Sequence, residues 1–155
     1  MINKIFRVIL YFCIYIVFCI LQFFLHKYTN YFYVLPNLMF LFTIYSGFKK
    51  NVFAQIIGFL FGVTFDVFLS NVFGVNTIVF AIIGYLSYKL SNFFDKDIIF
   101  AQIFIVLVFS IIYLICILLI YYIIHENYNF NIYNIIGMIT TIISTPIVFY
   151  FFKHL

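Results

Sequence analysis

Charge is what this chain most lacks. Of its 155 residues only four are acidic and eight are lysine or arginine, 8% in all, where soluble domains carry about 25%. That is too little polar surface to coat a water-facing globule. The net charge of +4 is small and scattered, without a basic cluster interleaved with aromatics, so no nucleic-acid partner is expected. Tryptophan is absent although aromatics make up 25% of the chain. The heavy use of Phe, Tyr, Ile, Asn and Lys fits an AT-rich coding bias, so individual phenylalanines and tyrosines are read as lipid contacts rather than as site markers. Tyr28, Tyr31, Tyr33, Tyr121 and Tyr122 fall near the ends of apolar runs and suit an interfacial belt.

Reactive side chains are equally sparse. Cys13, Cys19 and Cys116 lie inside apolar runs with no CxxC or Cys/His spacing, which reads as buried small hydrophobes rather than a metal or redox site. His26, His125 and His154 form no Ser/His/Asp or HExxH-type pattern, and no phosphate-binding Gly-rich loop is present. No enzyme activity, metal or cofactor is expected.

What is there is apolar: 68% hydrophobic residues and a mean hydropathy of +1.25. A helix needs roughly 20 apolar residues to cross a bilayer with its backbone satisfied. Six runs approach this, at about 5–25, 32–48, 52–69, 73–90, 98–124 and 132–152. The reading is an all-α integral membrane protein with six transmembrane helices in one polytopic domain, 1–155. The second to fourth runs are short, and the fifth is long enough to tilt or project. The first follows Lys4 and Arg7 like a signal peptide, but its length and the lack of a small-residue cleavage site favour a retained helix. Polar breaks fall at 26–31, 49–51, 70–71, 91–97 and 125–131, and links this short make consecutive helices antiparallel neighbours.

Charge sets the orientation. With the N-terminus inside, the cytoplasmic segments hold Lys4, Arg7, Lys49, Lys50, Lys89, Lys96 and Lys153, and the outer ones only Lys27. Over short loops that is a strong positive-inside signal for N-in/C-in, multi-pass insertion in an inner membrane.

Asp66 is the one acid inside an apolar run. A carboxylate there is a functional hypothesis by default, and in the last turn of its own helix the dipole disfavours it. Either it has a partner, or, four residues from the break, it reaches interfacial water. On a helical wheel Gln55, Gly58, Gly62, Asp66 and Leu69 form one small, polar stripe, and Gly74, Thr77, Ala81, Gly84 and Ser91 form another on the next helix. Gly58 and Gly62 make a GxxxG, the spacing that lets membrane helices approach closely. Whether the stripes face each other or a partner is open at this point. Pro36 is placed in the first turn of the second helix, with Asn37 beside it free to cap or to bond across helices. Pro146 lies inside the sixth and reads as a structural kink, where Thr140, Thr141, Ser144 and Thr145 are near enough to satisfy freed backbone groups. The first and fifth helices, poor in small and polar residues, are expected to face lipid.

The stretch Leu35-Pro36-Asn37-Leu38, then Gly58-Phe59-Leu60-Phe61-Gly62-Val63-Thr64-Phe65-Asp66, then Phe73-Gly74-Val75-Asn76 and Gly84-Tyr85-Leu86 resembles the bacterial rod shape-determining protein MreD family. The match covers about 35–86; elsewhere only hydropathy agrees. The resemblance implies a non-catalytic scaffold or regulator of the cell-wall elongation complex. It also implies a partner, an MreC-like single-span protein, and indirect association with MreB-like actin, a SEDS glycan polymerase and a penicillin-binding transpeptidase. The fold it implies is similar to the substrate-binding components of energy-coupling-factor transporters. The site residues are then Pro36, Asn37, Gly58, Gly62, Asp66, Gly74, Asn76 and Gly84, serving helix packing or partner binding through small-residue faces. The alternative is a small-solute-binding transport subunit, with Asn37, Asp66 and Asn76 as its few convergent polar groups.

Overall fold

The computed structural model describes residues 16–17, 19–24, 36–49, 53–69, 72–93, 98–124 and 132–154. All secondary structure among them is helical. A segment α1 is helical at 16–17 and 19–24; α2 (Leu38–Phe48), α3 (Ala54–Leu69), α4 (Val75–Leu90), α5 (Ile99–Ile124) and α6 (Ile132–His154) follow. Among the described residues, two helices are long and apolar enough to cross a membrane, Ile99–Ile124 and Ile135–Lys153. The other three are short, and α2, with 11 residues, measures only about 16 Å at 1.5 Å per residue. The expected first half of the opening span, the start of the second at 32–35, the turn pair Ser70 and Asn71, and both outer histidines, His26 and His125, lie outside the described residues.

α2 is the axis of the molecule. Every residue from Met39 to Phe48 is buried, and the helix touches α3, α4 and α6 along its length. A helix apolar all round has no solvent-facing side to give up, so α2 sits inside the bundle. Phenylalanine does much of the filling. Nine of the described phenylalanines are buried, among them Phe40, Phe61, Phe80 and Phe149, which corrects the reading of phenylalanine as bulk lipid contact. They interlock edge to face, as in Phe42–Phe61 and Phe42–Phe152, with centroids 5.7 and 5.1 Å apart, a geometry that adds to simple area burial.

The direction of the helices follows from paired contacts. Phe40 meets Phe80 and Gly47 meets Ser87, so α2 and α4 run parallel. The Asn37 N–H donates to Thr141 Oγ1 (3.0 Å), and Lys49 Nζ donates to the Phe152 carbonyl (3.2 Å), so α2 and α6 also run parallel. The Lys49 ammonium lies 5.0 Å from the centre of the Tyr45 ring and at the C-terminal end of α6, where the helix dipole favours a cation. α3, by contrast, runs antiparallel to α4, in the most extensive contact of the fold.

Two local expectations change. Pro36 precedes the helix rather than opening its first turn. Asn37 is the N-cap, its side chain accepting from the Phe40 N–H at 3.0 Å. α6 continues through Pro146. The neighbouring hydroxyls bond the carbonyls of Gly137 and Thr141, whereas the carbonyl freed by a proline four residues on is that of Ile142.

Candidate functional site

The α3–α4 pair is built from residues without side chains to keep the backbones apart. A Cβ on Gly58 would run into the Phe80 carbonyl, one on Gly62 into the Thr77 Cα and the Asn76 carbonyl, and one on Gly84 into the Ala54 carbonyl. The two glycine stripes therefore meet each other. Of the two readings left open, packing between these helices and reception of a partner helix, the contacts are those of the first. Membrane helices gain from such close approach because packing, not hydrophobic exclusion, holds them together.

Asp66 closes the upper end of this seam. Its side chain is 2% exposed, so it does not reach interfacial water. Its Oδ2 accepts from the Gly74 N–H (2.9 Å), the Thr77 N–H (2.8 Å) and the Thr77 hydroxyl (2.6 Å). Its Oδ1 accepts from the Asn76 N–H (3.1 Å) and the Asn76 side-chain amide (2.9 Å). The first N–H groups of any helix lack intrahelical acceptors, and an oxygen side chain at the N-cap normally supplies one. Here the N-cap is Gly74, which has no side chain to offer. Asp66, one helix earlier, takes that role. The unfavourable end of its own helix is offset by the favourable N-terminus of α4.

Gly74 is required by geometry. Its φ of 98° is left-handed, a region that L side chains avoid and glycine enters freely. The space around its missing Cβ is open, so backbone conformation and not crowding selects glycine there.

The network extends to α5. Tyr113 Oη donates to Asn76 Oδ1 at 2.7 Å, and the Tyr113 ring packs edge-on against Phe40 and tilted against Phe80, centroids 5.5 and 5.8 Å away. The Asn76 side chain thus donates one hydrogen bond to Asp66 and accepts one from Tyr113. A second, separate capping group lies at the start of α2. There the Leu38 N–H donates to Gln22 Oε1 (3.4 Å), and Gln22 is buried.

Of the residues singled out in the sequence, Gly58, Gly62, Asp66, Gly74, Asn76 and Gly84 lie together on the α3–α4 seam. Pro36 and Asn37 belong instead to the α1–α2–α6 junction. Thr77, Tyr113, Gln22 and Thr141 were not marked as site residues. A tyrosine in mid-helix has a polar tip that must find a partner when buried, and that signal was available for Tyr113. Among the described residues no group of three or more metal-ligating side chains occurs. Every polar atom of the Asp66 carboxylate already has donors, so the cluster is a structural clamp with no reactive group turned outward.

A protein-family model of rod shape-determining protein MreD matches residues 2–155. No curated protein and no solved structure matches the chain. The family match extends over α5 and α6 as well as the α3–α4 seam with its Asp66 clamp, far beyond the central motif. The chain belongs to the MreD family of bacterial rod shape-determining membrane proteins.

Proposed function

We propose that this protein is a non-catalytic membrane scaffold of the cell-wall elongation machinery. It crosses the inner membrane six times with both ends in the cytoplasm and binds an MreC-like single-span protein. Through that protein it associates with MreB-like actin, a SEDS glycan polymerase and a penicillin-binding transpeptidase. The observation that carries the reading is the whole-chain family match, and the geometry agrees with it. The parallel course of α2, α4 and α6 and the antiparallel course of α3 suit alternating crossings. The positive-inside distribution of lysine and arginine suits the proposed orientation.

The glycine faces are closed, so the partner helix is received on the exposed apolar surface. A solute-binding subunit of the energy-coupling-factor type would need several polar groups converging on a cavity. Asp66 and Asn76 are turned onto each other, and Asn37 Oδ1 onto the Phe40 N–H of its own helix, which leaves them poorly placed for a solute. A likeness to those subunits is retained only for the fold.

Two experiments test this. The tagged chain should retain the MreC-like protein of the same bacterium on purification in mild detergent, and failure to do so at matched expression contradicts the scaffold reading. Accessibility labelling should place the Lys49–Lys50 turn and the His125 loop on opposite faces of the membrane. Labelling on the same face overturns the six-span arrangement.

A further inference from the structure

We infer that the N-terminus of α4 is submerged in the outer leaflet, with Phe73, just before it, among phospholipid acyl chains. This rests on the membrane reading proposed above. Register is the first observation. The Tyr113–Asn76 hydrogen bond puts Tyr113 level with the first turn of α4. The short 91–98 connection makes α5 antiparallel to α4. Beyond Tyr113, α5 runs on to Ile124, roughly 16 Å further at 1.5 Å per residue. That extension is apolar and exposed at Leu118, Leu119, Ile123 and Ile124. On the other flank, Thr141 is level with the N-cap of α2, and α6 reaches back from it to Ile132, roughly 13 Å more. Both long helices outreach the turn at the same end.

Length is the second observation. α4 has 16 residues, about 24 Å, against a hydrocarbon core of about 30 Å. Tilt only shortens its reach. Lys89, in its last turn, marks the cytoplasmic boundary, so the shortfall falls at the outer end.

Backbone chemistry is the third. Non-helical backbone is tolerated at membrane depth only where its polar groups are satisfied by protein. At this turn the N–H groups of Gly74, Asn76 and Thr77 all donate to buried Asp66, so α4 begins without needing water. The side chain just before the Gly74 N-cap is apolar and outward: Phe73 is 69% exposed. An acid that substitutes for interfacial water is what a turn ending below the interface requires.

The chain has no tryptophan, so one introduced indole reports its own surroundings. F73W, L107W and Y122W replace exposed residues at the turn, mid-α5 and the outer end of α5. Each is reconstituted in phosphatidylcholine vesicles. Quenching by lipids brominated at mid-chain is then compared with quenching by iodide on both faces. Expected is an F73W that behaves like L107W, blue-shifted, quenched by bromolipid and little affected by iodide, while Y122W is open to iodide. An F73W as open to iodide as Y122W overturns the inference, because the turn then reaches the aqueous surface. An F73W quenched by neither also overturns it, since protein then covers the turn. Iodide quenching of L107W would instead sink the membrane reading itself.

Discussion

The α3–α4 pair and the α5–α6 pair solve opposite problems with the same apolar alphabet. In the first, glycines bring two backbones into contact, and one acid satisfies the start of the second helix. In the second, the helices are long, and much of their surface is exposed isoleucine, leucine and phenylalanine. Ile135, Ile139, Ile143 and Ile147 form one outward stripe on α6. Backbone contact tolerates no added atom, whereas a face against fluid chains tolerates most apolar ones. Constraint in this molecule is therefore local, and substitutions of similar size should differ sharply by region.

The largest effect is expected from Gly62→Leu. Its side chain would meet the Thr77 and Asn76 backbone, which cannot rotate away, so the loss should exceed the roughly 1–3 kcal/mol typical of core overpacking. Thermal unfolding in detergent should show little folded protein. Partner recovery should fall only in proportion to the folded fraction, and a fall at normal folded yield would mean that this face does contact the partner.

Asp66→Asn comes next. Whichever way the amide turns, some α4 donors face a donor, at about 1–3 kcal/mol for polar groups left unpaired. Expected is a lowered Tm with a folded product still recoverable. A loss equal to that of Gly62→Leu would place the clamp, not the glycine packing, at the centre of the seam.

Tyr113→Phe removes one interhelical bond and should cost about 0.6 kcal/mol, the membrane average. Ile143→Ala, 69% exposed on α6, should fall within about 0.5 kcal/mol of the parent. A larger change there would reveal a specific contact on the α6 stripe.

The helices themselves were legible in the sequence because hydropathy and polar breaks report where apolar helix begins and ends. Asp66 and the Gly58/Gly62 spacing were legible as anomalies in an otherwise bulky run. Orientation within the bundle was not. In water, burial separates apolar from polar residues, but in lipid an apolar helix reads alike whether it is central or peripheral. That is why α2, buried throughout, looked like any other short span. The same degeneracy hid the buried phenylalanines; at Tyr113 the mid-helix hydroxyl, which needs a partner when buried, was the one sign that set its ring apart. The direction of the glycine stripes depended on the turn: Asp66 reaching Gly74, Asn76 and Thr77 fixes α4 against α3, a pairing no single-helix wheel contains.

The central claim, that Asp66 clamps the N-terminus of α4 and fixes the α3–α4 seam, is tested most directly by a double-mutant cycle. Asp66→Ala, Thr77→Val and the double variant would be compared by unfolding in the same detergent. The account predicts non-additivity of about 0.5 kcal/mol or more, the range seen for residues in direct contact, with the double variant less damaged than the sum of the two. Simple additivity would contradict it.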